Sequence, residues 1–190
     1  MNKEQKRQLR ENARLHRDRI DVAKEGTEEA TSLFFDALRP QSEQVIAAYW
    51  PKGKEFDPTN ILETAFKKGH ICALPRVCEK TRILEFIKWS PDEPLKKGAF
   101  GIMEPQGSEA ISPDIIIVPL LAFDRRGYRL GQGGGYYDAT LEALRAQKQV
   151  QAVGIGYASQ AVLFPLPIEE HDQKLDWILT PHAITDHREE

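Results

Sequence analysis

Residues 119–138 read PLLAFDRRGYRLGQGGGYYD and concentrate the chain's most reactive chemistry. Five of its 13 glycines fall between Gly127 and Gly135. Glycines let backbone N–H groups approach a ligand closely, and such a loop at a helix N-terminus can cradle phosphate. Arg125, Arg126 and Arg129 add positive charge and forked donors suited to phosphate oxygens. Asp138, just inside the following helix, can hold a divalent cation against those oxygens. The segment is not a P-loop, because no Lys-Ser/Thr follows the glycines. Nor is it the dinucleotide fingerprint: counting from Gly131, the third glycine position is Tyr136. The bland alternative is a flexible glycine hairpin with solvated arginines. The coincidence of glycines, arginine and carboxylate after an apolar run weighs against it.

That run, Ile115-Ile116-Ile117-Val118, is β-branched throughout and predicts a buried strand ended by Pro119. Shorter apolar runs, Val45–Tyr49, Ile71–Leu74 (ended by Pro75) and Val153–Tyr157, predict further strands, with Arg82–Trp89 a less regular strand at an edge. Helices are predicted over residues 3–24, closed by Gly26; from Thr27-Glu28-Glu29 to Leu38; from Asp57-Pro58-Thr59 to Lys68; and from Tyr136 to about Gln147. Alternation of strand and helix predicts a single α/β domain, residues 1–190. Its central sheet is largely parallel, flanked by helices in Rossmann-like layers. Sites in such sheets form beyond the carboxyl ends of the strands. Trp50 to Glu55, Pro75-Arg76 and the loop after Val118 therefore share one rim. Residues 186–190 are expected to fray.

Composition excludes several classes. With 190 residues, 26 basic and 29 acidic side chains and a net charge of −3, the chain lacks the basic excess of a nucleic-acid binder. No stretch approaches the ~20 apolar residues of a membrane span, and the charged first residues carry no apolar signal core. Cys72 and Cys78 have no zinc-type spacing, and Cys72 reads as a small buried residue. A cytoplasmic location, no nucleic-acid or membrane partner, and a monomer acting on small molecules are expected. The five histidines (16, 70, 171, 182, 187) show no metal spacing; there is no GxSxG and no HExxH.

Val118-Pro119, Phe123-Asp124, Gly127, Arg129-Leu130-Gly131, Gly133 and Gly135-Tyr136-Tyr137-Asp138 together resemble the signature of the 5-formyltetrahydrofolate cyclo-ligase (methenyltetrahydrofolate synthetase) family. Lys6-Arg7-Gln8-Leu9-Arg10 resembles that family's N-terminal basic helix. Tyr49 to Glu55 resembles its substrate-side strand, and Gly101–Pro105 its GI-EP segment. The likeness spans nearly the whole chain. It implies ATP- and Mg²⁺-dependent conversion of 5-formyltetrahydrofolate to 5,10-methenyltetrahydrofolate, by phosphorylation of the formyl oxygen and ring closure.

By the same resemblance, Lys6 and Arg10, which share a helix face, contact ATP together with Arg129, Leu130, Gly131, Gln132, Gly133, Gly134, Gly135, Tyr136 and Tyr137. Arg129 and Tyr137 are the catalytic candidates. Glu55, whose carboxylate suits pterin donors, meets the folate with Trp50, Met103 and Tyr136. Asp138 and Asp172, the latter in the stretch His171–Asp176, are the Mg²⁺ candidates, with Asp176 an alternative to Asp172. Two rival functions keep the loop without this reaction: a non-catalytic folate- or nucleotide-binding protein, and another phosphate-binding α/β enzyme such as a sugar-phosphate isomerase.

Overall fold

The computed structural model describes residues 3–78 and 80–188. In chain order the elements are α1 (Lys3–Asp18), α2 (Val22–Glu25), α3 (Ala30–Leu38), β1 (Val45–Ala47), α4 (Thr59–Lys67), β2 (Ile71–Val77), β3 (Leu84–Trp89), β4 (Leu95–Lys97), β5 (Met103–Pro105), β6 (Ile115–Pro119), β7 (Ala122–Phe123), β8 (Arg129–Leu130), α5 (Tyr136–Arg145), β9 (Gln151–Ile155), β10 (Trp177–Thr180) and β11 (Ala183–Asp186).

Seven strands form one sheet in the order β11-β10-β9-β6-β1-β2-β3. The inner ladders are parallel, from β10 across β9, β6 and β1 to β2. Both outer strands, β3 and β11, are antiparallel to their neighbours. This is the α/β, largely parallel, single-domain architecture that the strand–helix alternation predicts. Ile115 and Ile117 point into the cluster that α3 and α4 cover. Ile116 and Val118 point into the cluster covered by α5. All four have no exposed surface, which is why β6 reads as an unbroken apolar run rather than an alternation. Burial of each such side chain is worth about 1.5–3 kcal/mol.

The strand order reverses between β1 and β6: the chain goes from β1 outward to β2, then returns to β6 on the other side. The crevice beyond their carboxyl ends is where such sheets bind ligands. Two loops open there, 48–58 after β1 and 120–135 after β6.

Four details differ from the sequence expectation. The first helix stops at Asp18 and resumes as α2, because tight turns (Arg19 N–H to His16 O, Ile20 N–H to Arg17 O) tuck Ile20 into the core. Pro75 does not end β2 but lies inside it, opposite Phe86. The Ala73 carbonyl accepts the Ala48 N–H. Ala73, and Pro75 two residues on, thus face the β1 side, where that strand has ended, so the N–H missing from proline costs no ladder bond. The hairpin β10–β11 is absent from the predicted elements. It pairs Trp177 with Asp186, and His187 is buried with its N–H on the Asp176 carbonyl. Asp186 to His187 are therefore ordered, not frayed; Glu189 and Glu190 lie outside the described residues.

Candidate active site

The loop after β6 is a built hairpin, not a flexible run. Ala122 and Phe123 pair with Leu130 and Arg129. Asp124 holds the turn: its carboxylate accepts the N–H groups of Arg126 (3.0 Å), Tyr128 (3.1 Å) and Leu166 (2.9 Å) and the Arg126 guanidinium (2.8 Å). Burial works against this charge, but the guanidinium and the N–H donors outweigh it and hold the carboxyl below its ordinary value. Arg126 thus braces the hairpin rather than facing a phosphate. Leu130 is core: its side chain packs with Leu9 and Ala13 of α1 and fastens that helix across the hairpin.

Beyond β8 the glycines turn the chain into α5. Gly133 has φ +104°, and the Arg10 side chain lies against it. Gly135, at φ +70°, starts the helix. Both are in the left-handed region that glycine adopts without strain. Arg129 at the foot of this turn is almost fully buried. Its Nη2 donates to Asp138 Oδ1 at 2.8 Å and its Nη1 to the Gln173 carbonyl at 2.9 Å. The same Asp138 oxygen accepts the Gln173 N–H at 3.0 Å.

Helix α1 lies along the loop and presents a row of cations spaced by four, four and three residues, which is one helix face. Lys6 Nζ donates to Asp172 Oδ2 (2.6 Å) and Glu169 Oε2 (2.8 Å). Burial disfavours its charge, but the two carboxylates more than compensate, and its pKa is raised. Arg10 Nε donates to the Gly131 carbonyl at 3.2 Å. Arg14 donates to the carbonyl (2.8 Å) and the side-chain oxygen (3.1 Å) of Gln132. Arg17 Nη1 reaches Glu55 Oε1 at 3.4 Å. The sequence reading found Lys6 and Arg10 and missed Arg14 and Arg17. Their spacing from Arg10 is the signal that could have found them.

Glu55 lies where the two loops meet. Its carboxylate accepts the Lys52 N–H (2.9 Å) and the Gln132 side-chain amide (3.1 Å). The Tyr137 hydroxyl is pushed up, first by burial, then by the Glu55 charge, with Arg129 acting in the opposite sense. Trp50 packs partly buried on the α3–α4 side of the sheet. The β4–β5 hairpin brings half-buried Met103 to the same rim. Glu104 accepts the Val77 N–H at the end of β2, and Lys52 Nζ donates to the Phe100 carbonyl at 2.5 Å. Tyr136 meets the Phe100 ring edge-on at 5.8 Å. Glu55 and the glycine loop thus meet on the rim that the sequence predicts; Tyr136 and Tyr137 follow that loop into α5, and the segment before Met103 reaches it through Phe100.

The candidate metal ligands are arranged differently from the expectation. Among the described residues, Asp172 groups with Glu169 and His171, their ligand atoms all within 4.8 Å of one another, and Asp138 stands outside that group. Glu169 was not foreseen. Asp176 is an anchor: Oδ2 accepts Arg145 Nη2 and the Ala152 N–H, both at 2.7 Å, tying α5 to β9. The oxygen donors of Asp138, Asp172 and Glu169 are the ligand class that Mg²⁺ takes, so these residues fit that ion. No described helix is long and apolar enough to cross a membrane.

A largely parallel sheet with a cation-lined glycine loop at its switch point defines the chain as a layered α/β protein whose candidate site lies beyond the carboxyl ends of its strands. Residues 2–181 match the family model of the 5-formyltetrahydrofolate cyclo-ligases, and the chain belongs to that family. It is 31% identical over 187 residues to the 5-formyltetrahydrofolate cyclo-ligase of Haemophilus influenzae, covering 94% of this chain and 99% of the relative. The cyclo-ligase of Mycolicibacterium smegmatis is 33% identical over 169 residues, 85% of each chain. The NMR structure of Aquifex aeolicus 5,10-methenyltetrahydrofolate synthetase superposes with a TM-score of 0.80 at 29% identity, covering 97% of this chain and 94% of that one.

Proposed function

We propose that this chain is a ligase that converts 5-formyltetrahydrofolate to 5,10-methenyltetrahydrofolate with ATP, releasing ADP and phosphate. The observation that supports this reading best is the meeting of two loops at one crevice. One carries the glycines and the buried Arg129; the other carries Glu55, and Gln132 bridges them at 3.1 Å. A nucleotide and a second substrate would there lie side by side.

The formyl oxygen of an amide is a poor leaving group. In the proposed reaction it attacks the γ-phosphorus as the bond to ADP breaks. Nitrogen 10 then attacks the formyl carbon, and the oxygen departs with phosphate. Such a reaction asks the protein mainly to position groups and balance charge. Lys6, Arg10, Arg129 and the Gly131–Gly135 amides take the phosphates. Arg129 is fixed before the nucleotide arrives, because Asp138 and the Gln173 carbonyl already orient its guanidinium. Glu55 accepts hydrogen bonds from the pterin amide and amino donors, beside Trp50, Met103 and Tyr136. Tyr137, its hydroxyl raised by burial and Glu55, stays protonated at neutral pH and donates a hydrogen bond toward the reacting oxygen. Asp172 and Asp138 would hold Mg²⁺, which when bound supplies neutralising charge to the phosphate oxygens. The protein acts as a cytoplasmic monomer.

The direct test follows methenyltetrahydrofolate by absorbance, from 5-formyltetrahydrofolate with and without ATP and Mg²⁺. Product that appears only with both supports the reading. Folate or nucleotide binding without ADP release would reduce the chain to a binding protein.

A further inference from the structure

Arg17 lies at the far end of the cation row, the residue of that row most distant from the glycine-loop phosphate cradle, and its side chain is 10% exposed. Its Nη1 points at Glu55 Oε1, 3.4 Å away, while its Nε is buried with no hydrogen-bond partner. A buried arginine that serves only stability satisfies its donors, since an unmet one is costly. The same Glu55 oxygen accepts the Gln132 amide, whose own oxygen accepts Arg14 Nε. The chain Arg14–Gln132–Glu55–Arg17 therefore starts and ends on α1, passing through the glycine loop and the loop after β1. With the Lys52 N–H on the other oxygen, it fixes both the place and the plane of the Glu55 carboxylate.

We propose that Arg17 is a positioning residue for Glu55, holding the folate-side carboxylate in the geometry that receives the pterin donors. It acts through Glu55 and contacts no phosphate. The inference rests on the assignment of Glu55 to the reduced folate.

Arg17→Met keeps the apolar stem and removes the guanidinium. The KM for 5-formyltetrahydrofolate should rise roughly tenfold, the effect of losing one charged hydrogen-bond contact, while the KM for ATP moves less than about threefold. Arg17→Lys, which retains the charge, should recover most of the loss. Arg17→Gln serves where Arg17→Met does not fold. The deciding measurement is the double variant with Glu55→Gln. If Arg17 works through Glu55, the double variant has the folate KM of Glu55→Gln alone, since residues in one network do not add. Additive effects would mean that Arg17 acts elsewhere and would overturn the proposal. So would an unchanged folate KM in folded Arg17 variants, or equal rises for both substrates. Calorimetry with 5-formyltetrahydrofolate separates this from the reaction itself. Binding that weakens in the Arg17 variant of a protein without turnover keeps the positioning role and removes the cyclo-ligase reading. Turnover with unaltered folate binding in the variant does the reverse, and a wild-type chain that neither binds nor turns over removes both.

Discussion

The stretch from the loop after β6 into α5 contains two arginine–aspartate pairs of equal length, and they are built inside out relative to each other. At its start, the Asp124 carboxylate is 2% exposed and its partner Arg126 is 43% exposed. At its end, Arg129 is 4% exposed and Asp138 is 21% exposed. Both distances are 2.8 Å. In the first pair the buried member also takes three backbone N–H groups, so the anion is the hub and the cation is a brace. In the second the buried cation is held by a carboxylate and a carbonyl, and the carboxylate faces the rim. Which member is buried, rather than the length of the bond, separates a pair that closes the turn from one that presents a carboxylate at the rim.

The largest expected effect comes from Asp124→Ala. It strands three backbone donors and a guanidinium, and the loss in chemical denaturation should be about 3–5 kcal/mol. A loss under about 1 kcal/mol would erase the distinction between the pairs. Arg129→Ala should do the opposite, leaving a folded protein whose ATP-dependent rate falls roughly 30- to 1000-fold, or about 2–4 kcal/mol. Near wild-type kcat/KM for ATP would take Arg129 out of the phosphate site. Asp138→Asn keeps the shape and should raise the Mg²⁺ concentration for half-maximal activity by about tenfold, with a smaller rise for Asp172→Asn. An unmoved midpoint in a Mg²⁺ titration would leave Asp138 only as the support of Arg129.

Acid sharpens the contrast at the Asp124 end. Its folded carboxyl titrates lower than the unfolded one, so its contribution is complete above about pH 4 and is lost as pH falls through the folded value. An Asp124→Asn protein should therefore lose stability less steeply below pH 4 than the wild type, as read from denaturation midpoints. The smallest effect belongs to Arg126→Ala. With the arginine 43% exposed, the pair is worth under about 1 kcal/mol, and activity should hardly change.

Different parts of this design were visible in the sequence to different degrees. Ile115–Val118 declared β6 because both faces of that strand are buried and all four residues are β-branched. Pro75 misled, because a proline ends a strand unless one neighbour has already stopped. The hairpin β10–β11 was hidden by its charges: Asp186 and Arg188 read as a solvated tail, yet Asp186 pairs with Trp177 and the Arg188 guanidinium lies 4.4 Å over the Trp177 ring. In the site, the glycine signature and Glu55 could be read by resemblance. Arg14 and Arg17 were signalled only by their spacing from Arg10, which marks one helix face but not what that face meets. Their partners, Gln132 and Glu55, lie 118 and 38 residues away, and only the fold brings them close. Glu169 was invisible for the same reason, its tie to Lys6 spanning 163 residues.

That placement of α1 sets the order in which the protein can be completed. The helix is made early, but its cations bond to residues 131, 132, 169 and 172, which emerge from the ribosome more than a hundred residues later. A short, highly charged helix gains little from forming alone. Contacts this distant along the chain must wait until the intervening loop has been closed. The nascent sheet can assemble from β1, β2 and β6 while α1 remains undocked. The face where α1 meets the glycine loop is therefore complete only once residues 131, 132, 169 and 172 have been made.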